Sequence, residues 1–123
     1  MTLRTGIDLC EIPRLREAAQ RRGERFLARV FTATERKECG ENYASLAARF
    51  AAKEAVAKAL GTGLGPVSFT EIEITRGENR EPILRLHGKA LERALALNLT
   101  EWAISLSHTQ EYALASVVAI GQP

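Results

Sequence analysis

The stretch Arg49-Phe-Ala-Ala-Lys-Glu-Ala-Val-Ala-Lys-Ala-Leu-Gly61 sets four charged side chains among alanines, with no helix breaker before its last residue. Alanine and long unbranched side chains favour the helix, so the stretch predicts one long helix running from about Tyr43 to Leu60. At about 100° per residue, Glu54 and Lys58 fall one turn apart on one face. Ala47, Ala51 and Ala55 flank them and are expected to leave room for a ligand. Lys53 falls in the sector of Leu46, Phe50, Ala57 and Leu60, with Arg49 one turn before it, so two cations border the expected buried stripe. That pattern predicts an anion site. The plain alternative is a solvated Glu–Lys pair, worth roughly 0.2–0.5 kcal/mol on an exposed helix.

Outward from this helix, the chain reads as a single α+β domain over residues 1–123, without repeats, low-complexity tracts or linkers. Thr2 to Leu9 is a strand, and Pro13 suits the first turn of a helix ending near Arg22, where Gly23 interrupts. A short helix through Phe26 and Val30 follows. Thr32-Ala-Thr-Glu35 is a capping box opening a helix to about Gly40. Val67 to Arg76 alternates Phe69, Ile72 and Ile74 with polar residues, and the turn Arg76–Pro82 leads to a pairing strand, Ile83 to Leu86. Gly88 to Asn98 is an amphipathic helix carrying Leu91, Leu95 and Ala94; Trp102–Ser107 and Tyr112–Ala119 are strands. The expectation is an antiparallel sheet, joined by the N-terminal strand, packed against one long and several short helices.

With 46% hydrophobic and 26% charged side chains, 123 residues suffice for one core. No apolar run approaches the roughly 18 residues of a spanning helix, and Met1-Thr-Leu-Arg-Thr-Gly6 leads into a strand without a signal-peptide core, so a cytoplasmic protein is expected. Cys10 and Cys39 lack metal-site spacing and are expected to be reduced. The net charge of +2 names no partner, but Arg14, Arg16, Arg21, Arg22, Arg25 and Arg29 face only Glu17 and Glu24 in their segment. Without interleaved aromatics to stack bases, this suits an acidic protein better than a nucleic acid.

Asp8, between Ile7 and Leu9 where the first strand meets a helix start, is costly to bury without a cation, a metal or backbone donors. The bland reading is an N-cap or turn carboxylate. Asp8 and Glu54 together suit Mg²⁺, which is usually held by one or two carboxylates with waters and phosphates completing its shell. Phosphate would in turn explain Arg49, Lys53 and Lys58 on the same helix. Gly61-Thr-Gly-Leu-Gly65 follows a helix C-terminus, where partial negative charge gathers, so Gly61 reads as a left-handed C-cap rather than a phosphate loop. His108 stands between Ser107 and Thr109 at a strand end; adjacent strand residues face opposite ways, which argues against a Ser–His relay and for a phosphate or adenine contact. The alternative is a satisfied loop histidine. His87 is given no role.

The ordered set Gly6-Ile-Asp8, Arg49 to Gly63, and Ser105-Leu-Ser-His108 closely resembles the bacterial holo-acyl-carrier-protein synthase family of 4′-phosphopantetheinyl transferases, over nearly the whole chain. The resemblance implies Mg²⁺-dependent transfer of 4′-phosphopantetheine from coenzyme A to a serine of apo-acyl-carrier protein, releasing adenosine 3′,5′-bisphosphate. It implies Asp8 and Glu54 as metal ligands, Lys58 as charge stabiliser, and Arg49, Lys53, Lys58, Gly61, His108 and Thr109 as coenzyme A contacts. The base is a metal-bound water oriented by Asp8 or Glu54, or it is Lys58; both stay open. Arg14, Ala18, Arg21, Arg25 and Phe26 would dock the carrier protein, and a homotrimer with active sites between subunits is implied. Ala48 and Val56 depart from the family's common glycine and aromatic, and are expected to reshape the pantetheine pocket slightly. Two other classes compete: a non-catalytic module that binds coenzyme A or carrier protein, and a nucleic-acid binder using the arginine helix.

Overall fold

A computed structural model describes residues 1–122. Its elements run β1 (Thr2–Glu11), α1 (Ile12–Arg22), α2 (Glu24–Val30), α3 (Ala33–Cys39), α4 (Tyr43–Leu60), β2 (Ile72–Arg76), β3 (Pro82–Leu86), α5 (Gly88–Ala96), β4 (Leu99–His108) and β5 (Tyr112–Gly121). The strands form two sheets rather than one: an antiparallel β1-β5-β4 sheet and a separate β2-β3 hairpin. The N-terminal strand does join the closing strands, with Asp8 opposite Ala115.

The long helix is the axis of the domain. Asn42 caps it by accepting from the Ser45 N–H at 3.0 Å, and Gly61 ends it in the left-handed conformation at φ 78°. Ala47, Ala51 and Ala55 are fully buried, which corrects the expectation that they leave space for a ligand. Their small side chains instead let the β1-β5-β4 sheet lie close against α4. The approach is tightest at Gly6, where a Cβ would stand 1.9 Å from the Ala55 carbonyl oxygen. Backbone cannot yield there as a flexible side chain would. Gly6→Ala is therefore expected to cost at least about 1–3 kcal/mol, read as a lower urea midpoint at unchanged slope. An unchanged midpoint would contradict this packing.

Other boundaries differ for local reasons. β1 continues to Glu11, so Asp8 lies inside the strand and is neither a cap nor a turn residue; Glu11 occupies the N-cap of α1 without a side-chain bond. Residues Phe69–Glu71 coil into a 3₁₀ turn because Glu71 Oε1 accepts from the Ser68 N–H at 2.8 Å, which delays β2 to Ile72. Helix α5 turns Ala90 and Ala94 inward, Ala94 as expected, and leaves Leu91 and Leu95 exposed, against the expectation for the two leucines. The small-residue face admits close packing, and Arg93 Nε donates to the Leu60 carbonyl at 2.9 Å, fixing the helix's rotation. Val56, expected beside a ligand, is wholly buried in the core. No helix among the described residues is long and apolar enough to cross a membrane.

Candidate active site

Two carboxylates 46 positions apart in sequence are brought side by side where α4 crosses β1. Asp8 points from the inner face of β1 and is largely covered, and the Glu54 carboxyl lies within hydrogen-bonding reach of it. Burial first, then the charge and hydrogen bond of Asp8, push the Glu54 carboxyl above its ordinary range, while Lys58 pulls it down. Lys58 Nζ donates to Asp8 Oδ1 at 3.1 Å and to the Ile7 carbonyl at 2.9 Å. More than half of its side chain stays exposed. Like charges this close call for a cation, and one ammonium offsets only part of the pair.

Next to the pair, a cavity of about 290 Å³ is lined by Leu9, Cys10, Leu15, Phe50 and the expected docking residues Arg14, Ala18 and Phe26. Cys10 senses the same field: burial, followed by Asp8 and Glu54, raises its thiol to about 11, so it is a packed side chain and no nucleophile. Arg25 and Phe26 border a second hollow with Arg22 and Arg29. Arg21 is exposed beside Glu17. Of the residues expected to dock a partner, Arg14, Ala18, Arg25 and Phe26 thus border two hollows that share Phe26, and Arg21 lines neither.

Lys53 belongs elsewhere, and its assignment as a coenzyme A contact is corrected. Its ammonium is fully buried, donating to Glu35 Oε1 at 2.8 Å, the Phe69 carbonyl at 3.0 Å and the Ile72 carbonyl at 2.6 Å. All three donors are used, so none is free for a ligand. Arg49, one turn away, is nearly as buried: its guanidinium donates to the Glu35 carbonyl at 3.1 Å, Cys39 Sγ at 2.7 Å and Glu38 Oε1 at 3.0 Å. The physical reason is angular. Positions 49 and 54 lie about 140° apart around a helix, so α4 presents Arg49 and Glu54 to different sides.

Arg49 does border a cavity, of about 330 Å³, with His108, Ser105, Ser107, Arg76 and Arg80. Asp8, Glu54 and Lys58 are not part of it. His108 ends β4 with Nδ1 3.3 Å from the Thr109 carbonyl oxygen, and both residues are exposed. Within one chain, then, the predicted residues fall into two groups: the Asp8–Glu54–Lys58 cluster and the Arg49–His108 cavity. Gly61 belongs to neither group: it ends α4 beside the Arg4 and Arg93 guanidinium groups, and its N–H is spent on closing the helix. Cys10, Phe50, Arg76 and Arg80 were missed by sequence reading. Only the turn Arg76–Pro82 carried a signal for any of them, and it read as a turn alone.

Among the described residues no group of three or more His, Cys, Asp or Glu converges. The donor set at the pair is two carboxylates beside a half-exposed ammonium, which matches a hard divalent ion that shares its shell with phosphate oxygens and water.

A family model described as the 4′-phosphopantetheinyl transferase superfamily matches residues 4–117. A holo-[acyl-carrier-protein] synthase of Chloroflexus aurantiacus is 50% identical over 130 residues, covering 93% of this chain and 95% of its own length. One of Herpetosiphon aurantiacus is 47% identical over 124 residues, covering 95% and 98%. The crystal structure of Helicobacter pylori holo-[acyl-carrier-protein] synthase in complex with coenzyme A superposes with a TM-score of 0.86 at 32% identity, covering 94% of this chain and 99% of that one.

Proposed function

This chain belongs to the holo-[acyl-carrier-protein] synthase family of the 4′-phosphopantetheinyl transferase superfamily, and from that premise we propose that it moves 4′-phosphopantetheine from coenzyme A to a serine of apo-acyl-carrier protein. The juxtaposition of Asp8, Glu54 and Lys58 carries the reading. In the reaction the serine oxygen forms a bond to the phosphorus bearing pantetheine. The bond from that phosphorus to the bridging oxygen breaks, and adenosine 3′,5′-bisphosphate leaves.

Asp8 and Glu54 would hold Mg²⁺. When bound, the ion supplies positive charge against the pyrophosphate oxygens. Lys58, exposed at the same place, adds charge where it develops on the leaving phosphate, the kind of stabilisation that dominates phosphoryl transfer. Because Lys58 is held as a donor to Asp8 and Ile7, it suits that role better than accepting a proton. The serine proton then passes on the carboxylate side, to a water that Asp8 or Glu54 would orient. The protein needs no nucleophile of its own, since the carrier supplies the attacking oxygen.

The nucleotide end of coenzyme A fits the Arg49–His108 cavity, whose apolar walls include Ile74, Pro82, Ile104 and Leu106. A homotrimer unites the two groups by setting one subunit's cavity against another's carboxylates. Supporting this, the outer face of the β1-β5-β4 sheet exposes Leu3, Ile7, Leu9, Leu114 and Val118, an apolar patch unusual for a face left in water.

Incubation with coenzyme A, Mg²⁺ and an apo-carrier protein should add the mass of phosphopantetheine to the carrier; an unchanged carrier beside an active control enzyme would refute the reading. Arg14→Glu with Arg21→Glu should raise KM for the carrier about tenfold or more and leave KM for coenzyme A within about twofold, because rim charges act on encounter and register. Equal loss for both substrates would contradict the docking surface.

A further inference from the structure

We propose that Arg80 reads the 3′-phosphate of coenzyme A and sets the preference for coenzyme A over its 3′-dephospho form; the proposal rests on the nucleotide end occupying the Arg49–His108 cavity. The first observation is the backbone. Arg80 has φ 65°, in the left-handed region. Its N–H donates to the Gly77 carbonyl at 3.0 Å, and the Gly77 N–H donates to the Glu81 carbonyl at 2.8 Å, so the β2–β3 connection is a turn followed by one left-handed residue. Glycine is the ordinary occupant of that position, and a long side chain there carries a steric penalty. A strained residue at a cavity edge warrants a functional reading.

The second observation is the state of the cations around the cavity. Arg49 and Arg76 are both committed to α3: Arg49 donates to Glu38 Oε1, and Arg76 NH1 donates to the Glu38 carbonyl at 2.9 Å. The Glu38 carboxylate is therefore paired with Arg49 and also accepts from the Arg76 backbone N–H, while the Arg76 guanidinium is held on a carbonyl. Arg80 lines the same cavity, is exposed, and has no side-chain acceptor among the described residues. His108 and the hydroxyls of Ser45, Thr75, Ser105 and Ser107 complete the polar lining. A slot with apolar walls, a histidine, hydroxyls and one uncommitted guanidinium fits a purine nucleoside carrying a phosphate monoester. The planar fork of arginine suits such a phosphate in a way that a point charge does not.

The test compares kcat/KM for coenzyme A and for 3′-dephospho-coenzyme A, by mass of the carrier product, in the full chain and in Arg80→Gly. The variant removes the guanidinium and relieves the left-handed strain, so its thermal midpoint should equal or exceed the parent's. The ratio of the two kcat/KM values should fall about tenfold or more, the worth of one charge-assisted bond. Arg80→Lys should restore part of it. A ratio that changes by less than about threefold overturns the proposal, as does an equal drop for both substrates, which would place Arg80 on the pyrophosphate instead. A parent protein that modifies no carrier at all fails the proposed activity rather than this residue's role.

Discussion

Glu35→Ala is expected to lower the unfolding free energy by about 3–5 kcal/mol, the cost of removing one partner from a buried ion pair. Glu35 has no solvent exposure, and both of its oxygens are occupied: Oε1 accepts from Lys53 Nζ and from the Thr32 N–H, each at 2.8 Å, and Oε2 accepts from the Ile74 N–H at 2.8 Å. One carboxylate therefore joins the start of α3, the middle of α4 and strand β2. Without it, the Lys53 ammonium keeps only the Phe69 and Ile72 carbonyls, in a setting whose burial already pushes its pKa down. Glu35→Gln should not rescue the fold. Whichever way the amide turns, its NH₂ meets a donor, and a buried unsatisfied donor costs about 1–3 kcal/mol. Urea unfolding reads both variants. A loss below about 1 kcal/mol for Glu35→Ala would show that the pair holds little together. Folded Glu35→Gln should keep its active-site cluster, since Glu54 and Lys58 lie on another side of α4.

This pair also marks where the sequence stops being legible. The capping box Thr32–Glu35 was visible because capping is local, and the structure contains it. That the same Glu35 would neutralise Lys53, 18 residues later, is a tertiary fact with no local signature. Helical phase put Lys53 correctly toward the buried side, yet a cation near a core reads equally as an anion site or as half of a salt bridge. Only the partner's position decides. The alanines of α4 misled in a related way, for a small residue makes room for whatever element approaches, and here that element is β1. The neighbourhood of Asp8 and Glu54 was reachable because a strand carboxylate without a local partner and a helix carboxylate set among cations both pointed to a shared ion. Their meeting depends on Gly6 letting the helix close on the strand. Arg80 was legible only as part of a turn, because its meaning lies in a backbone angle and in which neighbouring cations are already spent.

Glu54→Gln is expected to reduce turnover by at least about 10²-fold, the scale of losing one electrostatic stabiliser of the transition state, while leaving the fold as stable or more so. The two effects part because Glu54 is unfavourable to the free protein. Its folded-state pKa is raised by burial and by Asp8, so it binds its proton more tightly folded than unfolded. The stability this contributes is present below the unfolded pKa and disappears as pH rises through the folded one. Above its folded-state pKa Glu54 stands as a second carboxylate against Asp8, and an amide at position 54 removes that repulsion. Adding Mg²⁺ should raise the thermal midpoint of the parent by mass action and leave that of Glu54→Gln nearly unmoved. Asp8→Asn should lose turnover similarly but gain no stability, because Asp8 also accepts from Lys58. Full turnover in either variant, or an equal Mg²⁺ shift in parent and Glu54→Gln, would remove the carboxylate pair from the chemistry. A Glu54→Gln midpoint below the parent's in metal-free buffer would mean that the two acids are not in conflict, and the case for a cation between them would lose its physical basis.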